Sequence, residues 1–160
     1  MPYDLNIAID GACSNNGSSN ALASSALVIQ RPGQKPMIVT DILHSPPIAT
    51  SQRAELNALV LALEAAVERK SKFKYNPYFR AFIKTDSEYA TKCMTEWRTL
   101  WEVNGWKNAN GEGVANMDLI LQAIQLESEV QRYGRVYYNW VERKFNRHAD
   151  WAAKKALKEV

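Results

Sequence analysis

The chain has 160 residues, 46% of them hydrophobic and 23% charged, an ordinary balance for one globular domain able to bury a core without staples. Its 20 Lys and Arg against 17 Asp and Glu leave a net charge of +3, which permits a nucleic-acid partner without demanding one. Two cysteines, Cys13 and Cys93, exclude a disulfide framework, and no stretch reaches the roughly 18 uncharged apolar residues of a membrane span.

The first predicted element is a strand through Asn6-Ile7-Ala8-Ile9 that Asp10 closes. Gly11 through Gly17, rich in Ser and Asn, reads as a tight polar turn. Residues 21–30 are small and apolar, Arg31-Pro32-Gly33 marks a turn, and residues 37–43 resume β-type side chains. These three segments predict a meander, which Ser45-Pro46-Pro47 then breaks. From Ser51 the period changes. Leu56, Leu59, Val60, Leu63 and Val67 recur at helical spacing behind a cap at Thr50 or Ser51, and the helix ends in Arg69-Lys70. Residues 80–84 form a fourth strand. Thr85-Asp86-Ser87-Glu88 fits a capping box with Thr85 as cap, so a helix runs from there towards Trp97. Trp97, Trp101 and Trp106 follow in a weakly periodic, polar segment. A further helix starts near Asn116 and ends before Gly134, residues 135–141 are a fifth strand, and a last helix begins near Asn146.

This order, βββαβα(α)αβα, predicts an α/β fold: a mixed sheet with helices on both faces. In such a sheet strand ends meet helix starts at one mouth. Four acids stand at those boundaries: Asp10, Glu55, Asp86 and Asp150. Singly each has a plain structural reading, as a turn residue, a helix-start acid, a cap support, or the partner of Lys154 one turn away. Together they imply more. Clustered carboxylates repel one another, and a protein that keeps four at one mouth needs cations there. Hard oxygen donors select Mg²⁺ or Mn²⁺, and two such ions about 4 Å apart suit phosphodiester hydrolysis.

At these residues the sequence resembles a type 1 ribonuclease H over nearly its whole length. The matching pieces are Ile9-Asp10-Gly11-Ala12-Cys13 through Asn16-Gly17, Thr50-Ser51-Gln52-Arg53-Ala54-Glu55, Thr85-Asp86-Ser87, Gly105-Trp106-Lys107 with Asn116, and Asn146-Arg147-His148-Ala149-Asp150. Each is short, but five in the family's order on the family's element types are specific. The resemblance implies a ribonuclease H-like fold with a five-stranded mixed sheet, three antiparallel strands first and then two parallel. It implies an endoribonuclease acting on the RNA strand of RNA–DNA hybrids with two Mg²⁺ ions, Mn²⁺ being the expected substitute. Asp10, Glu55, Asp86 and Asp150 are the implied catalytic and metal-binding set. On the substrate side, Asn16 and Gln52, with Ser51 between Thr50 and Gln52, match positions near the minor groove, where 2′-hydroxyls identify RNA. Thr50 and Asn116 match a pocket for a DNA-strand phosphate. Trp97 and Trp101 match aromatic residues gripping the DNA strand, and Tyr89 stands where the family often has an aromatic.

The sequence departs from the family pattern in places. The loop before the last acid is only Glu142-Arg143-Lys144-Phe145 and lacks the histidine that many members carry there. His148 lies two residues from Asp150 and is expected on another side of its helix, and His44 is expected to be structural. Ser51 stands where Asn is common and Ile48 where members with a phosphate pocket often have Arg. The tryptophan segment sets Arg98 and Lys107 against Glu102 and Glu112, so weaker substrate binding is expected.

The expectation is a single domain over residues 1–160, free-standing, monomeric and intracellular, since Met1-Pro2-Tyr3-Asp4 carries no signal-peptide pattern. The competing readings are a non-catalytic nucleic-acid-binding module on the same fold, and a ribonuclease H domain of a retroelement polyprotein.

Overall fold

Alternation along the first strand sorts its side chains onto two faces, and the architecture follows from which face each helix covers. The computed structural model describes residues 1–160. Strands β1 (Tyr3–Ser14), β2 (Leu22–Ile29) and β3 (Met37–His44) make an antiparallel meander. β4 (Phe79–Thr85) pairs parallel with β1, and β5 (Gly134–Trp140) pairs parallel with β4. The sheet order is therefore β3-β2-β1-β4-β5, the five-stranded mixed sheet expected.

On one face, α1 (Ser51–Ser71) and α4 (Met117–Gln131) cover Leu5, Ile7, Ile9, Leu27, Ile29, Phe79, Ala81 and Ile83 with Leu56, Leu59, Leu63, Ile120 and Ala123. All of these are buried, and full burial of each large aliphatic is worth about 1.5–3 kcal/mol. On the other face, α5 (Arg147–Lys158) crosses β1, β2 and β3. Its contacts are small, Ala149 with Ala8 and Val28, and Ala152 and Ala153 with Ala26, so the helix lies close to the sheet. Close approach also explains Gly134, where a Cβ would sit 1.6 Å from the carbonyl oxygen of Phe79. No helix is long and apolar enough to cross a membrane.

Three local expectations are corrected. β1 does not end at Asp10: it continues to Ser14, pairing Gly11 to Ser14 with Leu22 to Ser25. The small side chains of this stretch hide its strand character, and the turn falls later, where Asn15 and Gly17 adopt positive φ. Thr85 is not a helix cap. It is the last residue of β4 and buried, whereas Ser87 caps α2 (Glu88–Lys92) by accepting from the backbone N–H of Ala90. Nor does the following helix stop at Trp97. A π-type turn over Cys93–Trp97 leads into α3 (Arg98–Asn104), which Gly105 ends at φ 77°.

Candidate active site

The parallel pairing of β1 with β4 ends at Ala8 and Lys84, so both strands lose their shared ladder at one level of the sheet. Asp10 lies two residues beyond that level on β1, and Asp86 two residues beyond it on β4. Gly11 then admits α1: a Cβ there would meet the backbone of Ala54 and Glu55 at 2.7 Å. The bare glycine lets the first turns of α1 press onto β1, which brings the backbone of Glu55 against the residue after Asp10. From the other face, buried Asn146 donates its Nδ2 hydrogen to the carbonyl oxygen of Ile9 at 2.8 Å. The backbone oxygen of Asn146 accepts from the N–H of Asp150 at 3.1 Å. One side chain thus ties the start of α5, and with it the fourth acid, to the residue preceding Asp10.

Asp10 contacts two of the other three acids. Asp10 is in hydrogen-bonding contact with both Asp86 and Asp150, and Glu55 feels the charge of Asp86. Burial first, then the Asp86 charge and the contacts with Asp150 and Asp86, push the Asp10 carboxyl up to about 8, against the opposing N–H of Gly11. Burial likewise raises Glu55, moderated by the hydroxyl of Ser87, which donates to its Oε2 at 2.8 Å. Two cations face the group. The Nε of Arg143 lies 3.3 Å from Oδ2 of Asp86, and the Nζ of Lys154 lies 3.1 Å from Asp150. The indole N–H of Trp140 donates to the backbone oxygen of Asp86 at 3.1 Å.

No three or more His, Cys, Asp or Glu side chains form a ready-made metal cage. The donor chemistry nonetheless fits a hard divalent cation. All four candidates are oxygen ligands, and the raised Asp10 carboxyl marks a place where negative charge is under-compensated. A carboxyl raised by burial and by its acidic neighbours ionises more readily when a cation joins it.

The expected substrate residues divide into three sets. Oδ1 of Asn16 accepts from the backbone N–H of Ser51 at 3.1 Å, linking the β1–β2 turn to α1, and Gln52 beside them is exposed. Thr50 caps α1 by accepting from the N–H of Arg53 at 3.0 Å. Asn116, at φ 62°, donates to the hydroxyl of Tyr89 at 2.9 Å and accepts from Arg53 at 3.3 Å. Arg53 also holds both carboxylate oxygens of Asp118, at 3.0 and 2.8 Å, so α1 and α4 are locked together at the mouth. Burial raises the Tyr89 hydroxyl to about 12, so it stays a hydrogen-bonding phenol. Tyr89, Trp97, Trp101 and Trp106 form a continuous run of rings with centroids 5.9, 6.0 and 5.7 Å apart. The three tryptophans are half-buried against the core. Behind them Arg98 and the Tyr138 hydroxyl both donate to buried Glu127.

Sequence reasoning missed Arg143, Ser87, Asn146 and Arg53. Ser87 and Asn146 lay inside quoted motifs, and only their partners distinguish them. Arg143 lay in the four-residue loop noted for lacking a histidine.

Five strands in this order, with acids from β1, α1, the end of β4 and α5 gathered at one mouth, define the ribonuclease H-like class of fold. Comparison with known proteins places the chain within it. The family model for RNase H matches residues 2–158. The curated ribonuclease H of Chromobacterium violaceum is 31% identical over 160 residues, covering 98% of this chain and 96% of that protein. Among solved structures, LC9-RNase H1, described as a type 1 RNase H with the type 2 active-site motif, superposes with a TM-score of 0.72. It is 24% identical and covers 98% of this chain and 72% of that one. The foamy viral protease-reverse transcriptase in complex with an RNA/DNA hybrid also reaches 0.72, at 16% identity, covering 98% of this chain and 20% of that chain. The chain belongs to the ribonuclease H family.

Proposed function

We propose that this protein is an endoribonuclease that hydrolyses the RNA strand of RNA–DNA hybrids, leaving 5′-phosphate and 3′-hydroxyl ends. The contact of Asp10 with both Asp86 and Asp150, with Glu55 alongside, carries this reading. Four oxygen donors on four elements would hold two divalent ions, Mg²⁺ with Mn²⁺ as substitute. When bound, such ions lower the pKa of an attacking water and offset the charge that builds on the phosphate and the leaving oxygen.

The chain's own residues orient this chemistry. Ser87 holds one oxygen of Glu55, so its other oxygen is free to face the mouth. Asn146 keeps Asp150 in register with Asp10. Arg143 supplies a cation beside the acids and lowers the repulsion that an incoming phosphodiester meets. Asn16, Ser51 and Gln52 lie where minor-groove 2′-hydroxyls would be read. Thr50 and Asn116 would take a DNA-strand phosphate, and Tyr89, Trp97 and Trp101 the sugar-base edge of that strand. The expected working state is an intracellular monomer.

The test is cleavage of an end-labelled RNA–DNA hybrid with Mg²⁺ by wild type and Asp10→Asn, with RNA and DNA duplexes as controls. Metal-dependent cutting confined to hybrid RNA and lost in the variant is expected. Failure of the wild type in both Mg²⁺ and Mn²⁺ would leave a binding module on this fold.

A further inference from the structure

α5 covers β1, β2 and β3 but leaves the same face of β4 and β5 bare. Pairing register sets out what that face carries. Arg80 stands beside Arg135, Phe82 beside Tyr137, and Lys84 beside Asn139. Phe82 and Tyr137 stack with centroids 5.1 Å apart and planes at 13°. Tyr137 is 41% exposed and sits on the sheet's edge strand, so its outward ring face is open. A cleft of about 180 Å³ opens beside Phe82, lined by Asn6 and Gln30 and by Asn139 of β5. Arg80 lies over the Phe82 ring at 5.7 Å and is held there by Asp4 at 2.6 Å. Arg135 is exposed and in no ion pair.

Half-exposed stacked aromatics are costly on a solvent face unless something covers them. Flat rings between arginines, with amides alongside, are what single-stranded nucleic acid requires: stacking for bases, cations for phosphates, and amides for base edges and 2′-hydroxyls. The surface is also continuous with the acid mouth. Asp86 follows Phe82 by four residues, just past the end of β4, a span of at most roughly 13 Å at strand rise.

We infer that the bare β4–β5 face is a platform for a single-stranded RNA tail that runs off the hybrid, with Phe82 and Tyr137 stacking its bases and Arg135 holding its phosphates. RNA is the strand assigned because the amides of Asn6, Gln30 and Asn139 line the cleft beside Phe82, where they can pair with 2′-hydroxyls. The platform would favour hybrids with a single-stranded RNA extension over blunt ones. The tail's assignment to RNA rests on the hybrid-nuclease reading above; the stacking surface does not.

The experiment measures binding of a fluorescent single-stranded RNA 12-mer, and of its DNA counterpart, by anisotropy in EDTA, where nothing is cleaved. Wild type should bind RNA more tightly than DNA. Phe82→Ala with Tyr137→Ala should weaken RNA binding at least tenfold, since each stacked base contributes about 1–3 kcal/mol. Arg135→Ala, an exposed change that spares the fold, should weaken it and reduce the salt slope by about one. Each variant should still bind and cut a blunt hybrid as wild type does. Binding unchanged in all variants, or equal affinity for DNA and RNA, would overturn the inference. A wild type that binds the RNA through these residues yet cuts no hybrid would sink the nuclease reading alone.

Discussion

The guanidinium of Arg143 reaches Asp86, its Nε 3.3 Å from a carboxylate oxygen whose side chain is 6% exposed, while its own side chain remains 78% exposed. A long, solvated side chain thus caps a buried acid from the short loop that carries no histidine. The same charge lowers the pKa of Glu55, so its influence extends across the group.

Arg143→Ala should destabilise only modestly, because the guanidinium is solvated, although its loss leaves the buried Asp86 carboxylate with one fewer cation. Hybrid cleavage should fall about tenfold, equivalent to roughly 1.4 kcal/mol of transition-state stabilisation. Arg143→Lys should recover most of it. Single-turnover rates beside thermal melts make the comparison, and an Arg143→Ala enzyme as fast as wild type would reduce the residue to a surface charge.

The Asp10 carboxyl makes the metal-free protein sensitive to pH in a defined direction. It titrates near 4 when unfolded and near 8 in the fold, so between those values the native state binds more protons. Metal-free stability should therefore be full below pH 4, fall as pH rises to 8, and level off above. Asp10→Asn should remove that slope and raise the Tm at pH 8 by about 2–4 °C for each kcal/mol recovered. It should also abolish cleavage. Melts in EDTA across pH 4–9 test this, and a wild-type Tm independent of pH would contradict it.

Added Mg²⁺ should reverse the same penalty. At a hundredfold excess over its dissociation constant a ligand stabilises by about 2.7 kcal/mol, which corresponds to roughly 5 °C or more here. Wild type should show this shift at pH 8 and Asp10→Asn should lose most of it. Calorimetry at fixed pH distinguishes the two, and equal shifts in both proteins would place the cation elsewhere.

Gly11→Ala should damage fold and site together. Its methyl would stand 2.7 Å from the backbone of Ala54 and Glu55, and backbone cannot rotate aside. Overpacking of this kind costs about 1–3 kcal/mol. The helix must shift outward, taking Glu55 from Asp10, so kcat should drop more than the loss of stability accounts for. A stable, fully active Gly11→Ala protein would show that α1 has room to spare.

Glu127 anchors the tryptophan segment from behind. Glu127→Ala would leave Arg98 and the Tyr138 hydroxyl without their acceptor, a loss of about 2 kcal/mol or more. Because Arg98 directly follows Trp97, the KM for hybrid should rise while the metal-linked Tm shift persists. Urea unfolding and steady-state kinetics separate these effects.

Sequence alone determined the element order, the mixed sheet and the four acids at its mouth, because side-chain periodicity and turn residues are local properties. Leu56 to Val67 declare a helix wherever they are placed. The same local view lost β1 beyond Asp10, where Gly11 to Cys13 carry no alternation and only pairing with Leu22 to Ser25 makes them a strand. It took Thr85 as the cap because Glu88 stands three residues on, whereas Thr85 ends β4 and Ser87 accepts from Ala90 instead. Tertiary structure alone decided that Asn146 reaches Ile9 across 137 positions, that Arg143 reaches Asp86, and that α5 stops short of β4 and β5. Such relationships depend on strand order and on how closely each helix approaches the sheet, and no spacing along the chain encodes either.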